Sequence, residues 1–508
     1  MTLASRSSGG VVAGYALLLA AWVLCAAPFS APDEWSHYLR AVGIGQGHLL
    51  GERVASFHDP ALTPAQEAWV AQAVRAVKVP AGLSPDGYGC NAFHAEASAA
   101  CIERIPPPPA VPVVRNVVTG TYQPAAFLLP GFLVKLAKTP PGALSLARAA
   151  NALTCLALLA LALAAISGPS LPGFLLALTP MAIYLAASLN PTGPEVAAAV
   201  AFGVGLLALG RDRAPMAWPT VAIGGASLCL CRSLGPLFVL LIAPCALLCS
   251  LPGALAKIRS APRSAAFTAA AIGLAAAANR LWEARYGPKL RFPRSEPAAI
   301  ALREAARSYP EWLREGIGVF QYTDSSMPDA AYLLWSFLLV AAIALALWRG
   351  TPRERWALLL AIFLALSVPL LLDAFILRPI GWMAQGRHVL PVAVIVPLVA
   401  GEIVGRHADR LDRRLFAAFC AGVCFVCSAL QIVAVYADAH RSAVGSSGSW
   451  FFPFHPAWSP PAGFWLPLAT ALAGSVILAT SAERSTRVAE GGAGERQGPI
   501  SAPRPRHS

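Results

Sequence analysis

Apolar runs rich in Ala and Leu alternate along the chain with two long polar stretches and several short polar turns. The first run covers residues 11–29, and a polar stretch over 30–147 follows it. Further runs cover 148–166, 172–189, 195–209, 218–230, 234–251 and 264–282. After a second polar stretch, 283–329, the runs resume at 330–348, 356–376, 389–404, 415–436 and 463–481. A helix of roughly 20 apolar residues crosses a bilayer, so this pattern predicts an all-α polytopic membrane protein with about 12 transmembrane helices. The expected segments are 1–29 (cytoplasmic end and first span), 30–147 (large extracytoplasmic loop), 148–282 (first bundle), 283–329 (second extracytoplasmic loop), 330–481 (second bundle) and 482–508 (disordered cytoplasmic tail). Residues 122–137 are moderately apolar, but they hold Pro124 and Pro130 and end in Lys135 and Lys138. They read as a re-entrant or interfacial helix of the first outer loop.

Composition supports the membrane reading. Of 508 residues, 56% are hydrophobic and 13% charged, against about a quarter charged in soluble domains. The net charge of +13 does not point to nucleic acid, because it sorts by loop. With Arg6 inside, Arg211 and Arg213, then Lys257, Arg259 and Arg263, then Arg349, Arg353 and Arg355 fall on the same side. So do Arg406, Arg410, Arg413 and Arg414, and the tail with Arg484, Arg487 and Arg496. Dense basic clusters mark the cytoplasmic face, so both termini are expected there. Nine of the 11 cysteines lie in apolar runs, where they act as small hydrophobes. Cys90 and Cys101 share the first polar stretch, where a disulfide is expected outside the cytoplasm.

This topology gathers the unusual polar residues at the outer ends of the spans. Asp33, Glu34, His37 and Arg40 open the first outer loop; on a helix, Asp33, His37 and Arg40 share a face. Ser30-x-x-Asp33 behind Pro32 is also a capping pattern. Gln123, the turn Asn190 to Glu195, Arg232, Tyr322 with Asp324, Asp373 with Arg378, and Gln385 with Arg387 complete the set. Arg40, Arg232 and Arg378 also suit anchoring to lipid phosphates. Asn190-Pro191 and Gly193-Pro194 suit a tight turn, and Asp373 with Arg378 a structural ion pair. Trp450, Phe451, Phe452, Phe454 and Trp458 read as an interfacial aromatic belt rather than a sugar platform. A carboxylate at this depth can take a proton from an acceptor hydroxyl, and arginines can grip a phosphate. A lipid-linked phosphosugar presents both needs at a membrane surface. No phosphate-binding Gly-x-x-x-x-Gly-Lys motif occurs.

Phe29-x-x-Pro32-Asp33-Glu34-x-x-His37-x-x-Arg40 resembles the opening motif of an uncharacterised bacterial family of multi-span proteins, domain of unknown function 2142. Gln123-Pro124-Ala125, Ser188-Leu189-Asn190-Pro191-Thr192 and Gln385-Gly386-Arg387-His388 follow in the family's order. That family is similar in layout to the GT-C glycosyltransferases, which use polyprenyl-phosphate sugars. The resemblance implies a bacterial inner-membrane protein that moves a sugar to a cell-envelope glycan or lipid acceptor on the outer face. Asp33 is the first choice of base and Glu34 the second. His37 and Arg40 would position acceptor or phosphate. Asn190 and Glu195 would hold sugar hydroxyls or a divalent metal ion, and Arg387, with Arg232, would bind the donor phosphate. Two departures stand out: Thr192 where the family often has Asp, and His388 for the usual Tyr. A flippase of lipid-linked sugars and a non-catalytic glycan-assembly subunit are the rival readings.

Overall fold

The computed structural model describes residues 3–212, 214–289 and 297–494, with side chains described from Ser8 to Thr486 within these ranges. Arg213, Arg496, the tail beyond 494 and the side chains of Arg6 and Arg487 lie outside the described residues. Helix α1 (Leu3–Cys25) packs along α20 (Trp465–Gly494). The close approach depends on glycine, since a Cβ on Gly14 would sit 2.9 Å from Leu478 Cβ.

The first loop region builds a small layer of its own. It contains α2 (Glu34–Gly45), β1 (Glu52–Arg53), α3 (Pro64–Ala73), β2 (Arg75–Val79), β3 (Val113–Val117) and α4 (Leu128–Val134). The strands form an antiparallel sheet in the order β1-β2-β3, with Arg75 opposite Val117 and Val79 opposite Val113. Phe29, Tyr38, Val42, Val77, Val79, Phe127 and Leu144 make a separate apolar core beneath it. Within 122–137 only a 3-10 turn and the seven-residue α4 are helical, and they pack on α2 and α5 (Pro140–Ala165). Cys90 and Cys101 are disulfide-bonded, with Cα atoms 6.2 Å apart.

The bundle follows with α6 (Leu171–Ala177), α7 (Pro180–Ala187), α8 (Thr192–Leu209), α9 (Ala217–Cys231), α10 (Gly235–Ser250), α11 (Gly253–Ser260) and α12 (Pro262–Tyr286). The second loop region supplies α13 (Ala298–Arg307), α14 (Tyr309–Gly318) and a hairpin of β4 (Val319–Phe320) and β5 (Ser325–Ser326). Then come α15 (Asp329–Arg349), α16 (Pro352–Leu372), α17 (Gly386–Ala393), α18 (Ile395–Arg406), α19 (Arg413–Val444) and α20. Helix α8 is buried on all sides at the centre.

Among the described residues, eight helices are long and apolar enough to cross a membrane, or up to ten if each bent pair is one span. The expected count of about 12 is therefore not reached. Helix α9 is only 15 residues long, and α12 carries Arg263, Asn279, Arg280, Glu283 and Arg285. The run over 172–189 is two helices bent by 72°. Pro180 has no N–H to continue α6, and Thr179 caps α7 by accepting from Ala182 N–H. Residues 482–494, expected within a disordered tail, continue the helix to Gly494.

The end of the bundle away from the loop regions holds a buried ionic cluster. Arg211 and Arg406 bind Glu402, which is 1% exposed, and His407 reaches Glu354 at 2.8 Å. Lys257 donates to the Arg211 carbonyl. Several of the basic residues seen in the sequence thus meet at one end, where they pair and tie α8, α11, α16 and α18 together.

Candidate active site

The segment between α1 and α2 turns sharply: Phe29 and Asp33 both have positive φ, at 61° and 60°. This turn sends two adjacent carboxylates to different surroundings. Glu34 points into the protein and is fully buried. Its two oxygens accept from Arg148 Nε at 2.8 Å and Nη2 at 2.6 Å, and Oε1 also accepts from Leu189 N–H at 3.0 Å. Arg148 in turn donates to the carbonyls of Ala26 and Ala27. Glu34 is thereby the fastener that holds the turn to α5 and to the end of α7.

Asp33 points the other way, and its side chain is 55% exposed. Its Oδ2 accepts from Arg387 Nη2 at 2.8 Å, across 354 residues of sequence. Arg387 lies in the first turn of α17, where Gly386 allows α17 to meet α14: Gly386 N–H donates to Glu315 Oε2 and a Cβ there would strike Trp312 O. Arg387 Nη1 is buried without a partner. Partial desolvation at the turn works to raise the Asp33 carboxyl, but Arg387, His37, His388 and Arg232 together hold it below the ordinary aspartate value. His37 is 2% exposed and its Nδ1 contacts Leu189 O at 3.1 Å. Burial, with Arg232 and Arg387 adding and Asp33 opposing, lowers it from 6.5 to about 4, so it is neutral at pH 7.

Arg232, at the end of α9, closes the other side. Its Nη1 donates to Thr192 Oγ1 at 3.0 Å, stands 3.7 Å from Glu195 Oε2, and its guanidinium lies 5.8 Å from the Tyr122 ring centroid. Thr192 thus serves as an acceptor for arginine. Glu195 Oε1 is buried with no hydrogen-bond partner. Asn190 is committed to the backbone: Nδ2 donates to Pro32 O and Oδ1 accepts from Thr192 N–H. Both polar atoms of the Asn190 side chain are thus turned to the backbone, and no three His, Cys, Asp or Glu residues converge among the described residues. Asn190 instead ties the α8 turn to the Asp33 turn.

The remaining candidates surround this centre. Arg40 is 1% exposed and donates to Tyr122 O at 2.7 Å; burial and Arg75 lower it to about 10. Gln123 donates to Glu283 Oε1 at 2.5 Å. Tyr322 donates to Phe29 O at 2.7 Å, and Asp324 accepts from Arg441 Nη2 at 2.8 Å. Gln385 is the N-cap residue of α17. Asp373 pairs with Arg378 at 2.6 Å and accepts from Ala384 N–H, which places the two in a structural ion pair. Arg148, Asp438 and Arg441 are the residues the sequence reading passed over. Arg148 was visible as a cation heading an apolar run. Asp438 and Arg441 lie beyond the expected end of the run at 436, because α19 continues to Val444.

Backbone strain concentrates here. The five non-glycine residues with positive φ among the described residues are Phe29, Asp33, Phe93, Gln321 and Thr323. They occupy three loops that touch through Tyr322, which bonds Phe29 O and meets the Phe93 ring at 4.9 Å. Such conformations cost about 1–3 kcal/mol each and collect at functional sites. Beside the centre lies an apolar cavity of about 260 Å³ between α14, α15, α16 and α17, lined by Leu176, Trp312, Trp335, Gly386, Leu390 and Pro397 among others. Gly386 puts one wall of that cavity next to Arg387.

A family model for predicted membrane proteins (DUF2142) matches residues 16–396. No curated protein matches the sequence. Among solved structures, ArnT from Cupriavidus metallidurans in the apo state aligns over 95% of this chain and 78% of its own, with 12% identity and a TM-score of 0.43. The same protein bound to undecaprenyl phosphate aligns over 96% and 79%, with 13% identity and a TM-score of 0.43.

Proposed function

The chain belongs to the DUF2142 family of predicted membrane proteins, and from that premise we propose that it transfers a sugar from a polyprenyl-phosphate donor to a cell-envelope glycan or lipid acceptor, at the outer face of a bacterial inner membrane. The observation that carries this reading is the Asp33–Arg387 contact. It joins the opening motif of the first loop to the Gln-Gly-Arg motif of the last, and so pairs a proton acceptor with a phosphate ligand.

In the proposed reaction the acceptor hydroxyl approaches the exposed face of Asp33. Its oxygen forms the new bond to the anomeric carbon while the bond from that carbon to the phosphate oxygen breaks. Asp33 takes the hydroxyl proton, and the electron pair leaves on the lipid phosphate. Arg387 and Arg232 stabilise the charge that develops there. His37, neutral and fixed at Leu189 O, presents an uncharged ring to the substrate. The buried orphan donor of Arg387 supports a role for this residue in binding an anion. The apolar cavity suits the polyprenyl chain, because Gly386, the residue before Arg387, forms part of its wall. Transfer of label from a polyprenyl-phosphate sugar in membranes carrying wild type, and its loss in Asp33→Asn, tests the reading. Equal transfer by the two proteins would remove Asp33 from the base role.

A further inference from the structure

Phe93 is 80% exposed, at the tip of the disulfide loop closed by Cys90 and Cys101. Large exposed aromatics are commonly mobile, but this one is held. Its backbone has φ 61°, a conformation a bulky residue keeps only when its surroundings impose it. The surroundings are specific. Arg441, itself 1% exposed, donates to the carbonyls of Asn91, His94 and Ala97, which pins the loop from three points. Ser446 N–H donates to Ala95 O, and Ser446 Oγ donates to Glu96 Oε1. Gly445, at φ 79°, lies so close to Glu96 O that no Cβ would fit. The Phe93 ring meets Tyr322 at 4.9 Å with planes 47° apart, and Tyr322 is bonded to the turn that carries Asp33.

We propose that Phe93 and Tyr322 form the platform on which the acceptor sugar ring rests, an inference that deepens the glycosyl-transfer reading and rests on it. The negative face of an aromatic ring attracts the weakly positive C–H groups on one side of a pyranose. Phe93 offers that face to solvent, and Tyr322 continues it toward Asp33. The neighbours argue for a sugar rather than lipid. His94, Glu96 and Thr323 are exposed beside Phe93, and seating the ring in hydrocarbon would draw the Glu96 carboxylate toward it. Trp450 and its aromatic neighbours lie on another loop, where Phe452 and Trp458 are buried, so the platform is distinct from them.

The test places 4-fluorophenylalanine at position 93 of the full chain in lipid nanodiscs and follows its single fluorine resonance. Methyl β-glucopyranoside and methyl β-galactopyranoside are the probes, and a spin-labelled lipid reports contact with the bilayer. A saturable shift with either glycoside and no broadening by the lipid is the expected result. A resonance that ignores both glycosides, or is broadened by the lipid, overturns the proposal. In parallel, Phe93→Leu should weaken glycoside binding about two- to tenfold, the range that an aromatic contact of about 0.5–1.5 kcal/mol implies, and Phe93→Trp should restore it. Unchanged binding by Phe93→Leu would also overturn it. The measurement needs no turnover, so failure of the platform and failure of the transfer reading give different results.

Discussion

Glu34 and Asp33 are neighbours in sequence with opposite work, and Glu34→Gln separates them. In the wild type, Glu34 is fully buried against Arg148, with a bidentate pair at 2.8 and 2.6 Å and a third bond from Leu189 N–H at 3.0 Å. The amide substitution keeps the shape but leaves the Arg148 charge buried without a counter-charge. Breaking one side of a buried pair costs about 3–5 kcal/mol, a large part of the total stability of a typical domain. Asp33→Asn removes a pair whose carboxylate is 55% exposed while Arg387 is 10% exposed, so its cost lies between that of a surface pair and that of the fully buried Glu34–Arg148 pair. The assay is thermal unfolding of each variant in the same detergent, beside transfer activity in membranes. Glu34→Gln is expected to melt well below wild type and Asp33→Asn to lose less. Replacing both members by Glu34→Leu with Arg148→Met should recover part of the loss, because an apolar pair carries no uncompensated charge. A Glu34→Gln protein that melts like wild type yet cannot transfer sugar would refute this reasoning and make Glu34 the base.

Three further outcomes follow from the same geometry. Asp33 sits below its ordinary value because of Arg387, so the acid limb of transfer should lie below the usual carboxylate range. Arg387→Gln should move that limb up as well as weaken donor binding, and an unmoved limb contradicts the pairing. His37 is lowered from 6.5 to about 4, so its contribution to stability is present above pH 6.5 and is lost as pH falls toward about 4; His37→Gln should flatten the melting temperature over that window. Cys90→Ser with Cys101→Ser removes a short-loop cross-link worth about 3 kcal/mol at most by chain entropy. Limited proteolysis should then cut within residues 90–101 while the bundle stays intact, and a loop as resistant as wild type would show that Arg441 alone suffices.

Much of the helical layout was legible because a bilayer-length apolar run can fold in few ways. The ends of those runs were less so. Thr179-Pro180 splits one run into two helices, and α19 extends past Tyr436 to bring Asp438 and Arg441 into the loop layer. At the site, Asp33 and His37 lie close enough to act on each other electrostatically, while Arg40 donates to Tyr122 O. Asp33 and Glu34 stand first and second as candidate base in the sequence, which says nothing of how their surroundings differ. Their difference comes from a positive-φ turn at Asp33 and from Arg148, 114 residues on from Glu34. The Asp33–Arg387 pair spans 354 residues, a separation no periodicity can report; only the motif resemblance hinted that both ends belong to one site.

The central claim is that Asp33 acts on a sugar carried by a polyprenyl phosphate. The most direct measurement incubates purified membranes with a panel of radiolabelled polyprenyl-phosphate sugars and envelope extract, comparing wild type with Asp33→Asn. The account predicts label moving from one of the donors to an acceptor in wild type and at least about a hundredfold less in the variant, the lower bound for losing a general base. Label that moves equally well in both, or that crosses the bilayer on its lipid without reaching an acceptor, would contradict it.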